Sequence, residues 1–225
     1  MPRLDIWLVE SGRFSSRQAA KRAIKDGLVI VDGYPCKPST QVNGNESIEI
    51  LGDYTDVPKG FLKLKMIDDF LGGNLVTIPC KAFDIGSSVG GFLAYLGHKG
   101  AQATGIEVST RFTKELKALV ESNPNLSVLF ADAFEIEPSS FADAGSFDLL
   151  LIDVTTVPTG TLHLVSIYSP LLKRGGRLVA AFKMQNDTNN VLQVIESIQK
   201  MGFEDVKEIN LDNTLQEVHI IACRT

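Results

Sequence analysis

The chain has 225 residues, 44% of them hydrophobic and 22% charged, an ordinary composition for a soluble globular protein with room for one large domain or for one small and one medium domain. No apolar run approaches the roughly 18 residues that span a bilayer, and the opening Met1-Pro2-Arg3-Leu4-Asp5 has an acid where a secretory signal needs an apolar stretch. The cysteines, Cys36, Cys80 and Cys223, and the histidines, His98, His163 and His219, are scattered, which argues against a disulfide framework and against paired metal-ligand spacing, so the expectation is a reduced, cytoplasmic protein with no metal and no membrane segment.

The net charge of −5 does not advertise a nucleic-acid partner, but its distribution is uneven: residues 11 to 25 carry Arg13, Arg17, Lys21, Arg22 and Lys25 with no acid among them. Because salt screens distant charges beyond about 10 Å, a local basic face can hold phosphate on an acidic protein. Ser15-Ser16-Arg17-Gln18 predicts a helix start, with Ser15 as N-cap and Gln18 completing a capping box. The helix would run to Lys25 or Asp26 and close on Gly27. Arg17, Lys21 and Lys25 recur on one face, with Arg13 just ahead of it, and Ala20, Ala23 and Ile24 fill the other. Asp32-Gly33, between Leu28–Val31 and Tyr34–Cys36, predicts a hairpin, and 47–50 a further strand. A polar segment from Gly52 to Pro58 marks the boundary, giving a first domain over residues 1–52.

A lone charged helix can be no more than a solvated face. Together with the hairpin, the wording Arg3-Leu4-Asp5, Ser16-Arg17, Ala20, Ile24, Gly27-Leu28-Val29 and Val31-Asp32-Gly33 resembles the αL RNA-binding module of a small-subunit ribosomal protein, shared by pseudouridine synthases. The resemblance implies that structured RNA is the partner and that Arg13, Arg17, Lys21 and Lys25 face it.

Residues 59–225 alternate apolar strands with amphipathic helices, the pattern of a parallel α/β sheet. Strands are expected over 82–85, 103–106, 127–130, 147–152, 176–182, 206–210 and 217–223, and helices near 60–71, 90–98, 110–121, 160–172 and 188–201. The last two strands leave no room for a helix between them and predict an antiparallel hairpin at the sheet end. The fold class is therefore α/β, a small α+β domain followed by a larger sheet domain.

The strongest motif, Asp84-Ile85-Gly86-Ser87-Ser88-Val89-Gly90-Gly91-Phe92, follows the first of these strands and opens a helix, so that backbone can approach a ligand at the carboxyl edge of the sheet. It is not a dinucleotide fingerprint: Ser88 stands where the second glycine belongs, and Asp84 would repel pyrophosphate but suits a sulfonium or an ammonium. Glu107, about 20 residues further on, ends the second strand where an acid can accept from ribose hydroxyls. Asp132 ends the third, in reach of an adenine amino group. The ladder resembles that of class I methyltransferases, which implies a Rossmann-like seven-stranded sheet and S-adenosylmethionine held by Asp84, Gly86, Ser87, Gly90, Gly91, Phe92, Glu107, Asp132 and Asp153.

Lys63, Asp153, Lys183 and Glu217 complete the set. Asp153 and Lys183 end adjacent strands and Glu217 begins the last, while Lys63 lies on the helix before the sheet. Each alone reads as an ordinary surface charge; together they resemble the Lys-Asp-Lys-Glu tetrad of FtsJ-type ribose 2′-O-methyltransferases. With the N-terminal module, the whole chain resembles the TlyA group, once called hemolysins. The resemblance implies methyl transfer to a ribose 2′-hydroxyl, with ribosomal RNA or a ribosomal subunit as partner. Lys183 would meet the hydroxyl as base or as charge stabiliser, Asp153 and Glu217 would orient it, and Lys63 would lend electrostatic support. Pro58-Lys59-Gly60-Phe61 replaces the group's usual Ser-Arg-Gly-Gly, Asp153-Val154-Thr155-Thr156 its Asp-Val-Ser-Phe, and Met184 a proline; these departures bear on which RNA is used. The alternatives are a small-molecule methyltransferase, which leaves residues 1–52 unexplained, and a non-catalytic RNA-binding protein with a relic domain, which leaves four filled tetrad positions unexplained. A pore-forming protein has no apolar helix and no barrel pattern to support it.

Overall fold

The computed structural model describes residues 1–14, 16–25, 27–50, 58–184, 188–211 and 217–225, and the chain divides into two compact units, Met1–Val57 and Pro58–Thr225. The expected linker lies, apart from Pro58, outside the described residues, as do the expected N-cap Ser15 and the alternative helix end Asp26.

In the first unit, α1 (Leu4–Glu10) and α2 (Arg17–Lys25) pack beside a three-stranded antiparallel sheet of β1 (Val29–Val31), β2 (Tyr34–Pro35) and β3 (Ile48–Ile50), in the order β2-β1-β3. Ser16 Oγ accepts the Ala19 N–H at 3.2 Å and so caps α2. At the other end Leu28 N–H returns to the Ala23 carbonyl at 2.9 Å, a Schellman closure across Gly27 at φ 72°. Asp32 and Gly33 both take positive φ, 51° and 81°, as a two-residue hairpin of type I′ requires. Leu4, Leu8, Phe14, Ala20, Ile24 and Val29 share one core.

The second unit is a three-layer sandwich. Its strands are β4 (Lys81–Ile85), β5 (Gln102–Glu107), β6 (Leu126–Phe130), β7 (Phe147–Ile152), β8 (Leu172–Lys183), β9 (Phe203–Ile209) and β10 (Glu217–Arg224), in the order β6-β5-β4-β7-β8-β10-β9. Parallel pairing runs from β6 to β8, and β10 is antiparallel to both β8 and β9, so the expected terminal hairpin returns its last strand between its neighbours. Leu64 and Ile67 of α3 (Lys59–Phe70), Phe92, Tyr95 and Leu96 of α4 (Gly91–His98) and Leu116 of α5 (Thr113–Ser122) cover one face. Leu164, Val165 and Tyr168 of α6 (Pro158–Tyr168) and Val194 and Ile198 of α7 (Thr188–Lys200) cover the other. Strand 176–182 is longer than its sequence suggests: Leu172 already pairs with Phe147, and the register shifts before Arg177 pairs with Leu149.

The chain leaves β4 toward β5 and β6, then returns to β7 on the other flank of β4. That reversal opens a crevice at the carboxyl ends of β4 and β7, where ligands bind in open α/β sheets.

Candidate active site

Strand alternation brings the tetrad together. Leu149 and Leu151 of β7, Val179 of β8 and Ile221 of β10 face the α3–α4 layer. With a period of two, Asp153, Lys183 and Glu217 fall on that side as well. Glu217 stands directly opposite Lys183 in the β8–β10 ladder. On α3, Lys63 lies one turn before the buried Ile67 and so points at the same sheet edge.

The result is a closed ring of four charges. Lys63 Nζ donates to Asp153 Oδ2 and to Glu217 Oε1, at 2.7 Å each. Lys183 Nζ donates to Asp153 Oδ1 at 3.0 Å and to Glu217 Oε2. Burial by itself would raise the carboxyls, but Lys63 and Lys183 outweigh it at Asp153, and His219 with the two lysines outweighs it at Glu217, so both are held below the usual carboxylate range. Burial would lower Lys63, and the two carboxylates overcome it and raise the group. At neutral pH Asp153, Glu217 and Lys63 are therefore all charged.

Beside the ring, a cavity of about 450 Å³ follows the carboxyl edge of β4 to β7, lined by Gly86, Ser88, Glu107, Asp132, Phe134 and Asp153 among others. Asp153 belongs to both features, so what fills the cavity meets the tetrad there. Asp84 lies fully buried behind the loop, and among the described residues neither of its carboxylate oxygens has an aligned hydrogen bond. Burial first, then the like charges of Asp153 and Glu107, push its carboxyl up to about 7. An orphaned buried carboxylate next to two others fits a cationic ligand and disfavours an anionic one. Glu107 receives the Ser88 and Ser109 N–H groups, at 2.7 Å each, one on each oxygen, which leaves each oxygen a second lone pair. Asp132 Oδ1 accepts from Phe134 N–H at 2.9 Å.

The rest of the glycine motif is spent on packing. A Cβ on Gly91 would stand 2.7 Å from Gly60 Cα, so this glycine lets α3 and α4 touch. A Cβ on Gly90 would meet Leu119 at 2.6 Å. Ser87 is buried with its hydroxyl on the Asp84 carbonyl, and Phe92 belongs to the core. None of these four lines the cavity, and neither does Asp84. Ser88, passed over in the sequence because no glycine stands there, does line it, at φ 51°.

In the first unit, the basic helix face is not free of acid. Asp5 of α1, fully buried, meets Arg3 Nε at 3.0 Å, Arg17 Nε at 2.9 Å and Lys21 Nζ at 3.8 Å. The sequence hid this because the acid comes from another helix. Arg13 Nη1 donates to the Ile48 carbonyl at 2.7 Å and lies over the Trp7 ring, while Lys25 is exposed. Three cations around one carboxylate still leave a net positive cluster.

Among the described residues there is no group of three or more His, Cys, Asp or Glu side chains fit for a metal ion, and no helix long and apolar enough to cross a membrane. Residues 2–48 match the family model of the S4 domain, and residues 83–180 that of a methyltransferase domain. The chain is thus an S4 domain followed by a methyltransferase domain with a seven-stranded Rossmann-like sheet. Among solved structures it is similar over its whole length to the "Putative hemolysin from Streptococcus thermophilus", at 21% identity, covering 88% of that chain with a TM-score of 0.62. Fibrillarin from Aeropyrum pernix, natively bound to S-adenosyl-L-methionine, is 19% identical over 70% of this chain and 74% of its own, with a TM-score of 0.58. The fibrillarin pre-rRNA processing protein of Methanococcus jannaschii is 17% identical over 89% and 84%, with a TM-score of 0.60. Identities this low show a common fold. No curated protein sequence matches the chain.

Proposed function

We propose that the chain is an S-adenosylmethionine-dependent RNA methyltransferase that modifies a ribose 2′-hydroxyl, with ribosomal RNA or a ribosomal subunit as substrate. The observation that carries this reading is the closed ring of Lys63, Asp153, Lys183 and Glu217 at the end of a cavity lined by Glu107, Asp132 and Asp153. The S4 domain supports an RNA substrate, and the likeness in fold to a fibrillarin that binds S-adenosyl-L-methionine and to a pre-rRNA processing fibrillarin supports the cofactor and the class of RNA.

In this reading Asp84, Gly86, Glu107, Asp132 and Asp153 hold S-adenosylmethionine, while Ser87, Gly90, Gly91 and Phe92 shape the loop that they line or support. The bound cofactor supplies a methyl group already activated by its sulfonium. What remains is to align the hydroxyl with it and to manage one proton. Lys183 touches the acceptor oxygen and, as an ammonium, stabilises the charge that develops there while the hydroxyl proton passes to water; as the free amine it would take that proton itself. Asp153 and Glu217 fix the direction of its ammonium, and Lys63 neutralises their other oxygens so that the ring carries no net charge. The test is transfer of labelled methyl from S-adenosylmethionine to total RNA: label in RNA that depends on the chain supports the reading, and label only in small molecules contradicts it.

Asp84 gives the cofactor site a pH signature. Its folded carboxyl sits near 7 against 3.8 unfolded, so the stability it contributes is complete below 3.8 and is lost as pH rises through 7. A cation beside it favours the ionised form, so binding expels its proton. At pH 6, calorimetry in buffers of different protonation enthalpy should find about one proton released per cofactor bound, and close to none at pH 8. No release at pH 6 removes Asp84 from the cationic site.

In the RNA-binding unit, Arg13, Arg17, Lys21 and Lys25 are proposed to meet phosphate, with Arg3 added by its place at Asp5. Lys21→Gln with Lys25→Gln should flatten the salt dependence of RNA binding by roughly 0.7–0.9 for each phosphate no longer neutralised, without lowering Tm. Arg17→Gln should weaken binding and lower Tm as well, because Asp5 loses its shortest ion pair. An unchanged salt slope in the double variant would mean that this face is merely solvated.

A further inference from the structure

His219 lies on β10, two residues beyond Glu217 and therefore on the same side of the sheet. It is 2% exposed, and its ladder partners are the apolar Ala181 on β8 and Ile209 on β9. Neither ring nitrogen has an aligned hydrogen bond among the described residues, although Nε2 stands 3.1 Å from Glu217 Oε1. A histidine so placed is an expensive choice for the interior of a strand, where an apolar side chain would leave nothing unpaired. Catalytic hydrogen bonds are commonly oblique before substrate binds and align afterwards.

Glu217 is the residue this contact would serve. Its Oε1 takes Lys63 and its Oε2 takes Lys183, so the tilt of its carboxylate sets where the Lys183 ammonium points. The lysines approach it as flexible side chains, whereas His219 is a rigid ring fixed in the sheet. We infer that His219 is a positioning residue that donates its Nε2 proton to Glu217 Oε1, locking the carboxylate in the orientation that presents Lys183 to the methyl acceptor. This inference rests on the ribose-methylation reading, and nothing in the sequence ladder pointed to it.

Two experiments on the full chain decide it. The chain has three histidines, so ¹⁵N spectra of the labelled protein resolve the His219 ring. The expected result is the Nε2–H tautomer, with an Nε2 resonance that moves in Glu217→Gln. An Nδ1–H tautomer indifferent to Glu217→Gln overturns the inference, whether or not the chain methylates RNA. In single-turnover and steady-state assays, His219→Leu should lower kcat by about ten- to a hundredfold, the scale of a misplaced catalytic group. KM for the cofactor, RNA affinity and Tm should hold, since Glu217 keeps both lysines and leucine removes the buried Nδ1 that has no partner among the described residues. His219→Gln, whose amide can reach the same oxygen, should recover kcat to within about threefold of the parent. Parental kcat in the leucine variant, or equal losses in both variants with a lowered Tm, overturns the positioning role. Absence of methyl transfer by the parent counts against the ribose reading alone, and the spectra still decide the contact.

Discussion

Lys183→Ala is expected to lower the rate of methyl transfer by roughly 10² to 10⁴, the range for losing a positioned proton-transfer or charge-stabilising group. The variant deletes the ammonium that bridges Asp153 Oδ1 and Glu217 Oε2, leaving Asp153 to Lys63 alone and Glu217 to Lys63 and His219. The ring then carries an extra negative charge beside the cavity. Affinity for the cationic cofactor should stay the same or tighten, and RNA affinity should change little, because the missing interaction strengthens mainly in the transition state. Lys183→Arg separates the two roles of the lysine: arginine keeps the charge and cannot serve as a base. Substantial activity in that variant favours stabilisation of a developing alkoxide. A parental single-turnover rate in Lys183→Ala, with Tm unchanged, would take the tetrad out of the chemistry.

Gly86→Val should abolish cofactor binding and destabilise the methyltransferase domain. Gly86 sits at φ 89°, a region closed to β-branched residues, and a Cβ there would stand 2.6 Å from the Asp153 carbonyl oxygen and 2.8 Å from Val154 Cγ1. The first of these is backbone at the end of a central strand and cannot swing away. The loop after β4 and the segment after β7 must separate, and together they form one wall of the cavity. A cost of about 3 kcal/mol or more is expected, which for a domain of this size lowers Tm by on the order of 10 °C. RNA binding by the S4 domain should survive. A folded Gly86→Val variant with parental cofactor affinity by calorimetry would remove this loop from the binding site.

Much of this was legible in the sequence because it follows from periodicity. Apolar strands alternating with helices set the sheet, and charged residues where strands end or begin, Asp153, Lys183 and Glu217, gather at one edge of it. Lys63 was visible only through resemblance to a known tetrad; its helix has no signal that selects it over Lys59 or Lys65. The glycine motif was legible as a loop but not in its details. Gly86 is needed for contact with the neighbouring strand end, Gly91 for contact between two helices, and Ser88 does the lining that a glycine-centred reading assigns elsewhere. Asp5 was invisible as a partner of Arg17 and Lys21 because the contact joins two helices whose packing no local pattern specifies. His219 read as one scattered histidine among three, since nothing in one sequence tells an exposed imidazole from one buried beside Glu217.

The most direct measurement is the position of the transferred methyl group on RNA. A ribose 2′-O-methyl blocks attack of the 2′-oxygen on the neighbouring phosphodiester, so alkali cannot cleave at that nucleotide, whereas a methylated base leaves cleavage intact. After incubation of total RNA with the chain and labelled S-adenosylmethionine, followed by complete alkaline hydrolysis, the label should run as an alkali-resistant dinucleotide. Parallel reactions with Lys183→Ala should lack it. Label recovered in mononucleotides would place the methyl on a base and contradict the assignment of Lys63, Asp153, Lys183 and Glu217 to ribose chemistry.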